Sequence, residues 1–267
     1  MAHLRSIDFN IPANIEDRFP YSIPIIKNWE LLEINSPVSI FVGENGSGKS
    51  TLLETLALSM EIITVGSENI NQDKSLNHVR NLSNFSKLVW NKRVRKGFFL
   101  RAEDFFGYVK RLAQNKQEME LDIKKVDEDY KDRSEYAKSL AKLPFSNELN
   151  SMNRKYGGDL DNYSHGESFL TLFQARFVPG GIYLLDEPEA PLSPLRQLAF
   201  MSMIKEMVEK DAQFIIATHS PILLALPDAE IFNLDQSPIK SVAYEELDHV
   251  TLTRDFLNNP EQFIRHL

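Results

Sequence analysis

The chain has 267 residues, a formal net charge of −8 and 42% hydrophobic residues. This length suits one large α/β domain, or one domain with a sizeable insertion, and the apolar content excludes a globally disordered chain. The absence of cysteine excludes a disulfide scaffold, a thiolate metal site and a cysteine nucleophile. The acidic balance excludes a protein that coats nucleic acid with its whole surface, although it permits a local basic patch.

The first residues, Met1–Phe9, lack the basic and then apolar pattern of a signal peptide. No apolar run reaches the roughly 18 residues that a membrane span needs. We therefore expect a cytoplasmic protein without membrane insertion.

Short apolar runs predict buried strands of a parallel sheet, at Val38–Val42, Ile182–Leu185 and Phe214–Ala217. Helical patterns follow the first two strands, over Thr51–Met60 and Leu195–Lys210. The second helix is expected to bury one face, formed by Leu198, Met201, Ile204 and Met207. Strand and helix in alternation predict an α/β architecture.

The middle of the chain has a different composition. Lys74–Arg101 is basic, and aromatic residues are interleaved in it: Phe85, Trp90, Phe98 and Phe99. Basic side chains neutralise phosphates while aromatic rings stack on bases, so the segment is a candidate nucleic-acid site. The alternative is a solvated hairpin arm whose aromatic residues pack inward.

Highly charged helical spacing over Phe105–Leu143 predicts two helices or a helical hairpin that ends at Pro144. A polar loop is expected over Asn147–Asn162. After Pro227, the pattern predicts strands at Glu230–Leu234 and near Ser241–Tyr244, and then a helix that ends in Phe263–Leu267.

A glycine-rich loop joins the first strand to the first helix, and its sequence fits G-x-x-x-x-G-K-[ST]. Its residues are Gly43, Glu44, Asn45, Gly46, Ser47, Gly48, Lys49, Ser50 and the following Thr51. Glycines let successive N–H groups face phosphate oxygens, and the helix adds its positive end. The motif predicts ATP binding, with Lys49 at the β- and γ-phosphates and Ser50 on Mg²⁺.

The second strand ends in Asp186-Glu187-Pro188. Beside a phosphate loop, Asp186 is predicted to hold Mg²⁺ and Glu187 to accept a proton from the attacking water. The third strand ends in Thr218-His219-Ser220-Pro221. His219 is a candidate γ-phosphate contact, although a lone histidine at a strand end is often structural.

Tyr163-Ser164-His165-Gly166-Glu167-Ser168 precedes an apolar helix. Ser164 and Glu167 have the spacing of a capping box, and a helix N-terminus is also an anion site. In chain order the phosphate loop comes first, then this segment, then Asp186-Glu187 and last His219. This order resembles that of the Walker A, signature, Walker B and H-loop motifs of ABC-type ATPases. The sequences of these motifs are similar to those of stand-alone bacterial ATPases related to SMC and RecF-like DNA-repair heads. The later segment Leu252-Thr253-Arg254-Asp255-Phe256-Leu257 is similar to them as well.

This resemblance implies a P-loop NTPase fold of the ABC type, in which helices flank a mostly parallel sheet with an antiparallel β region and an inserted helical subdomain. It implies a head-to-tail homodimer on ATP binding, in which Ser164, Gly166 and Glu167 of one subunit contact the γ-phosphate at Lys49 of the other. Ala190–Ser193 corresponds to the D-loop. The signature departs from the transporter form L-S-G-G-Q, since His165 stands for the first glycine and Glu167 for glutamine.

Two further roles follow from the resemblance. The Q-loop glutamine is not evident, and Glu103 is the candidate at that place, where it would be a metal ligand or a surface residue. An aromatic residue upstream of the loop usually stacks on adenine, and Phe19, Tyr21 and Trp29 are candidates that core packing also explains.

We divide the chain into an N-terminal lobe over 1–104, a helical subdomain and linker over 105–162, and a C-terminal lobe over 163–267. The expected function is a Mg²⁺-dependent ATPase whose dimerisation switches an unknown protein partner, in DNA repair or in defence against foreign DNA. The alternatives are the ATP-binding subunit of a membrane transporter and an ATP sensor with negligible turnover.

Overall fold

The computed structural model describes residues 2–65, 76–156 and 165–265. The chain divides into two compact units, of which the first comprises Met1–Ala102 with Phe177–Leu267 and the second comprises Glu103–Arg176. The three-part division made from the sequence stays a prediction.

The first unit is built on a seven-stranded sheet with strand order β10-β9-β3-β8-β7-β6-β4. Its strands are β3 (Val38–Val42), β4 (Ile63–Thr64), β6 (Gly97–Arg101), β7 (Ile182–Asp186), β8 (Gln213–Ala217), β9 (Glu230–Asn233) and β10 (Lys240–Val242). Neighbours pair in parallel, except for β9 with β10. Every residue of β3, β7 and β8 is buried, as their continuous apolar sequences predicted.

A three-stranded antiparallel sheet lies in the same unit, with order β2-β1-β5. Its strands are β1 (Leu4–Phe9), β2 (Leu32–Glu33) and β5 (Ser86–Trp90). The buried side chain of Gln213, on β8, joins the two sheets. Its Oε1 accepts the N–H groups of His3 and Leu4 at 2.9 and 2.8 Å, and its Nε2 donates to the carbonyl of Leu4 at 3.2 Å.

The helices of the first unit are α1 (Pro24–Lys27), α2 (Lys49–Met60), α3 (Asn77–Ser83), α7 (Pro194–Glu209), α8 (Pro221–Leu224), α9 (Asp248–Asn258) and α10 (Pro260–Ile264). A 3₁₀ turn over Tyr244–Glu246 precedes α9. Helices α5 (Glu135–Tyr156) and α6 (His165–Arg176) belong to the second unit, as does α4 (Ala102–Asp129) from Glu103 onward. The expected fold class, a mostly parallel sheet with an antiparallel part and a helical insertion, is confirmed.

The predicted face of α7 is partly wrong. Leu198 is 54% exposed, whereas Phe200, Ile204 and Met207 are buried. At 100° a residue, Leu198 lies about 120° around the helix from Ile204, so both cannot face the same sheet.

The basic segment is not a hairpin arm. Its described part forms α3, β5 and β6, and the two strands lie in different sheets. Phe98 and Phe99 are buried because β6 is an interior strand, so neither ring is available to stack on a base. Arg101 is buried as well, and Lys74 lies outside the described residues.

The two predicted charged helices are confirmed, but their end at Pro144 is wrong, because α5 continues through this residue to Tyr156. A proline inside a helix leaves the carbonyl four residues earlier without its N–H partner. That residue, Leu140, is 58% exposed, so water can satisfy its carbonyl. The predicted loop over Asn147–Asn162 is therefore wrong up to Tyr156, and its remainder lies outside the described residues.

The predicted C-terminal strands are confirmed as β9 and β10. Two short helices, α9 and α10, replace the single helix expected there, and residues 266–267 lie outside the description. Among the described residues, none of the helices is long and apolar enough to cross a membrane.

The Gln213 bridge provides a test of the core. In Gln213→Leu, two buried N–H groups lose their acceptor, so we expect a loss of about 2–4 kcal/mol in the free energy of unfolding. Thermal and urea unfolding measure the loss. The control is Gln117→Leu on the exposed surface of α4, which is expected to leave stability nearly unchanged. Equal stabilities of the two variants would show that the bridge does not contribute.

Candidate functional site

The candidate site lies at the carboxyl ends of β3, β8 and β7. Phe41 on β3 is in register with Ala217 on β8, and Ala217 is in register with Asp186 on β7. Parallel pairing therefore brings the glycine-rich loop, Asp186 and the His219 loop to one sheet edge, where ligands bind in open α/β folds.

The phosphate loop connects β3 to α2, as the motif predicted. Gly43 and Gly48 adopt φ values of +152° and +104°, which disfavour any side chain. A Cβ atom on Gly48 would also lie 2.9 Å from Cγ2 of Ile23. Asn45 and Gly46 are exposed at the top of the loop, so their backbone is open to a ligand.

Lys49 begins α2, and its side chain is only 5% exposed. The ammonium Nζ donates to the carbonyl oxygens of Gly43 and Glu44, at 2.7 and 3.0 Å. Burial lowers the pKa of Lys49, while the carboxylates of Glu187 and Asp186 act in the opposite direction. A buried ammonium held against the loop carbonyls is placed to bind the phosphate oxygens of a ligand in this loop.

Asp186 is 6% exposed at the end of β7. Burial raises the pKa of its carboxyl to about 7, and Glu187 and Glu54 raise it further, whereas the Ser50 hydroxyl donates to the carboxylate and lowers it. Its Oδ1 is buried without a hydrogen-bond partner among the described residues. An unpaired buried carboxylate oxygen is costly and fits a site that a cation completes.

These residues fit Mg²⁺. Asp186 and the exposed Ser50 supply hard oxygen ligands that already lie in contact, and Mg²⁺ prefers oxygens and keeps several from water or phosphate. Among the described residues no cluster of three or more His, Cys, Asp or Glu could hold a metal by itself. A cation here would therefore take its other oxygens from water or from a bound phosphate.

Glu187 adopts φ +50°, a left-handed conformation that is uncommon for a residue with a side chain. Its N–H donates to the carbonyl of Ala217 at 2.9 Å, which fixes the turn, and its side chain is exposed. The turn separates Glu187 from the buried Asp186, so that an exposed carboxylate stands beside the candidate cation site.

His219 follows β8, and its Nε2 is buried without a hydrogen-bond partner among the described residues. Burial lowers the pKa of this imidazole, and Lys49 lowers it further, against the opposite effects of Glu187 and Asp235. A neutral imidazole therefore faces the site. The sequence had left a purely structural role open, and the unpaired Nε2 favours a ligand contact.

Sequence reasoning missed Glu189, which holds the His219 loop in place. Its Oε1 accepts the N–H of His219 at 2.9 Å, and its carboxylate accepts the Thr218 hydroxyl. Burial raises the pKa of Glu189, and these hydrogen bonds oppose that effect. The only signal in the sequence was a second acid two residues after Glu187.

A buried ion pair beside the site was also missed. Glu54 on α2 binds Arg101 at 2.9 Å through Oε1, and His78 on α3 at 2.9 Å through Oε2. Burial raises the pKa of Glu54, whereas Arg101 and His78 lower it. Arg101 is in register with Asp186, so the pair fixes the neighbouring strand to the helix that carries the cradle. Glu54, His78 and Arg101 are too far apart in the sequence for a local pattern to reveal that they are in contact.

Asp235, which follows β9, is a third contact that the sequence did not indicate. Its carboxylate accepts the N–H of Glu44 at 2.8 and 3.1 Å, through its two oxygens. The C-terminal part of the chain therefore helps to shape the entrance of the phosphate loop.

The predicted trans-acting and auxiliary residues lie in the second unit or outside the described residues. Ser164 lies outside the described residues, and Gly166 and Glu167 belong to the first turn of α6 in the second unit. Glu103 is exposed in the first turn of α4, in the second unit as well. Their roles at the nucleotide stay predictions.

The three aromatic residues that are candidates for stacking on adenine differ in their burial. Tyr21 is buried in the core, and Trp29 packs edge-on against Phe9 at 4.7 Å between ring centroids, as core packing predicted. Phe19 is 54% exposed and stacks on His78 at 5.3 Å. Of the three, Phe19 alone presents an open ring face to solvent.

Two family profiles and a curated protein match this chain. A sequence profile described as "AAA domain, putative AbiEii toxin, Type IV TA system" matches residues 69–225, and a second, described as "AAA domain", matches residues 20–61. The energy-coupling factor transporter ATP-binding protein EcfA2 of Staphylococcus epidermidis is 28% identical over 228 residues, which cover 80% of this chain and 71% of that protein.

Solved structures with a similar course of the chain include the Smc head domain of Pyrococcus furiosus bound to the C-terminal domain of ScpA. It is 14% identical with TM-score 0.43, over 85% of this chain and 94% of that one. The SMC head of Thermotoga maritima is 16% identical with TM-score 0.42, over 90% and 99%. A nucleotide-free ATP-binding cassette from an ABC transporter is 14% identical with TM-score 0.46, over 98% and 97%.

The buried carboxyl of Asp186 gives a prediction for the Mg²⁺-free protein. Its pKa, about 7 when folded, lies above the ordinary value of 3.8, so folding is penalised as the pH rises through that interval. Asp186→Asn removes the penalty. The free energy of unfolding of Asp186→Asn should therefore rise relative to that of the parent by on the order of 2 kcal/mol between about pH 5 and pH 8.

Thermal unfolding in EDTA at both pH values measures this difference. The control is Asp255→Asn, at an exposed position of α9, which should show no such growth. A constant difference between Asp186→Asn and the parent at both pH values would contradict the assigned cause.

Proposed function

The chain belongs to the AAA-domain family of P-loop ATPases, and we propose that it is a cytoplasmic Mg²⁺-dependent ATPase whose ATP-bound head-to-tail dimer acts as a switch for a partner protein. The biological setting we propose is DNA repair or defence against foreign DNA. The description of the matching family refers to a toxin of a type IV toxin–antitoxin system, which is compatible with defence.

One observation carries the proposal. Lys49 and Asp186, two buried and oppositely charged groups, lie at one sheet edge, and an oxygen of Asp186 has no partner among the described residues. Such an arrangement costs stability without a ligand, and Mg²⁺ with a triphosphate supplies the missing charges and oxygens.

The chemistry is phosphoryl transfer to water. Lys49 and the backbone N–H groups of the loop neutralise the phosphates and hold them in line for attack. Ser50 and Asp186 would hold Mg²⁺, which supplies electrostatic stabilisation of the charge that develops on the phosphate oxygens. Burial of Lys49 strengthens its interaction with the phosphates because little water screens the charge.

Glu187 is the group that takes the proton. Its turn presents an exposed carboxylate next to Asp186, where it accepts a proton from the attacking water. His219 contacts the γ-phosphate through its free Nε2, and Glu189 positions the His219 backbone. The difference in phosphate contacts between ATP and ADP is the signal that the dimer reports.

The second subunit is proposed to complete the site in trans, through Ser164, Gly166 and Glu167. ATP binding would then close the dimer, and hydrolysis would reopen it. A dimer of this kind changes the distance between anything attached to the two subunits, which is how the nucleotide state would reach the protein partner.

The exposed part of the basic segment supports nucleic acid as a further ligand. Lys87, Arg93, Arg95 and Lys96 are exposed in β5 and in the connection to β6. Trp90, Arg93 and Arg95 line one surface cavity of about 590 Å³. An aromatic ring beside two guanidinium groups suits a single-stranded backbone with stacked bases. Lys92 is paired with Asp211 at 2.7 Å and is less suited to this role.

A transporter subunit is the second candidate. The resemblance to EcfA2, at 28% identity over 228 residues, favours it. The altered signature, with His165 and Glu167, counts against it. Recovery of the chain from native membranes together with a membrane-embedded partner would decide for the transporter.

Removal of the proposed base tests the ATPase. Glu187→Gln should bind ATP, accumulate as a dimer in size-exclusion chromatography and hydrolyse ATP about 10²–10⁴-fold more slowly than the parent, because the amide cannot accept the proton. Glu209→Gln, on the exposed side of α7, is the matched control. Hydrolysis by Glu187→Gln at the parental rate would refute the assignment, and a parent that binds ATP without turnover would instead identify a sensor.

Charge reversal tests the nucleic-acid surface. Arg93→Glu with Arg95→Glu should weaken binding of a fluorescent single-stranded DNA and reduce the salt dependence by roughly two phosphate contacts, measured by anisotropy at several salt concentrations. The pair Lys124→Glu with Lys125→Glu on exposed α4 makes the same change in net charge. Equal effects of the two pairs would rule out a local site in β5 and its connection.

A further inference from the structure

A cavity of about 540 Å³ adjoins the phosphate loop. Gly43 and Glu44 line one side of it, and His219 lines another. The remaining wall comes from the C-terminal segment and includes Asp235 and His249. The cavity therefore connects the start of the cradle with a part of the chain to which the sequence motifs assign no role.

Two imidazoles share this cavity. The Nε2 atoms of His219 and His249 are both buried, and neither has a hydrogen-bond partner among the described residues. Leaving a buried polar atom unpaired is costly, so such atoms usually meet a ligand or an ordered water. Both residues line this cavity, which makes them candidate contacts for a ligand bound there.

The cavity adjoins the residues that Lys49 contacts. The Lys49 ammonium lies 2.7 Å from the carbonyl oxygen of Gly43 and 3.0 Å from that of Glu44, and these two residues line the cavity. The ammonium that is proposed to bind the phosphates therefore contacts two residues of the cavity wall. The charge of Lys49 is felt by both imidazoles.

The electrostatics allow a contact with phosphate. Burial lowers the pKa of His249, and His219 and Lys49 lower it further, against Asp235 and Asp248. A neutral imidazole still donates one N–H to an oxygen. The cavity has further charged residues, all exposed to solvent: Glu44, Asp235, Lys240, Glu246 and Asp248. Water screens the exposed carboxylates, and that of Asp235 already accepts the N–H of Glu44.

The C-terminal segment is fixed to the His219 loop. The Tyr244 hydroxyl donates to the carbonyl of Pro221 at 3.0 Å, two residues after His219. Leu247 and Val250, on either side of His249, are buried and anchor the start of α9. His249 thus projects into the cavity from a supported position.

We infer that His249 contacts the terminal phosphate of ATP from α9, within the same chain as Lys49, and so joins His219 in distinguishing ATP from ADP. The inference rests on the proposed ATPase function. It makes α9 a part of the nucleotide site, so that loss of the terminal phosphate removes a contact of α9.

Affinities for two nucleotides test the role of His249. With Mg²⁺ present, His249→Ala should bind AMP-PNP about 10-fold or more weakly than the parent, with ADP affinity within about twofold, because the lost contact involves the third phosphate alone. His249→Gln retains a donor and should recover part of the loss. Arg254→Ala, exposed on α9, is the control and should alter neither affinity. Isothermal titration calorimetry on the full chain gives both constants.

The outcomes separate the hypotheses. Unchanged AMP-PNP affinity in both His249 variants, or an equal loss for AMP-PNP and ADP, would overturn the role of His249, and the second result would identify a structural effect on the whole site. A parent that binds neither nucleotide would overturn the proposed function itself. Thermal unfolding of each variant verifies that the chain is folded.

Discussion

Parallel pairing of β3, β8 and β7 is the constraint on which the site depends. In register, Phe41, Ala217 and Asp186 stand at one level of the sheet, so the three following loops leave from the same edge. Each loop brings one kind of chemistry: the cradle with Lys49, the two carboxylates, and an imidazole. Because all three strands are fully buried, the hydrophobic core holds these groups in place.

Burial then sets the electrostatics of that edge. Lys49 satisfies its ammonium on loop carbonyls, whereas Asp186 keeps one oxygen unpaired among the described residues, and the pKa shifts of both groups follow from their removal from water. The unpaired oxygen of Asp186 and the ammonium of Lys49 are the groups that the proposed metal and triphosphate would complete. The surrounding supports, Glu189 under the His219 loop and Glu54 with Arg101 beside Asp186, preorganise the groups that the ligand meets.

The C-terminal segment is closer to the cradle than its position in the sequence suggests. Asp235 holds the N–H of Glu44, Tyr244 holds the carbonyl of Pro221, and His249 faces the cavity that Gly43 lines. Two hydrogen bonds from one segment therefore reach the phosphate loop and the residues that follow His219, and His249 lines the cavity between them.

The sequence by itself determined the strands β3, β7 and β8, the phosphate loop and the acids after β7, because continuous apolar runs and glycine spacing are local signals. It misplaced the end of α5 at Pro144, since a proline is tolerated where the unpaired carbonyl is exposed. It left the aromatic residues of the basic segment either at a nucleic-acid site or packed inward, and pairing of β6 inside the sheet buries both Phe99 and Arg101. Only the tertiary structure decided the partners of Glu54, Glu189 and Asp235 and the place of His249 at the cavity. Contacts between distant segments depend on strand order and register, which leave no periodic trace in the sequence.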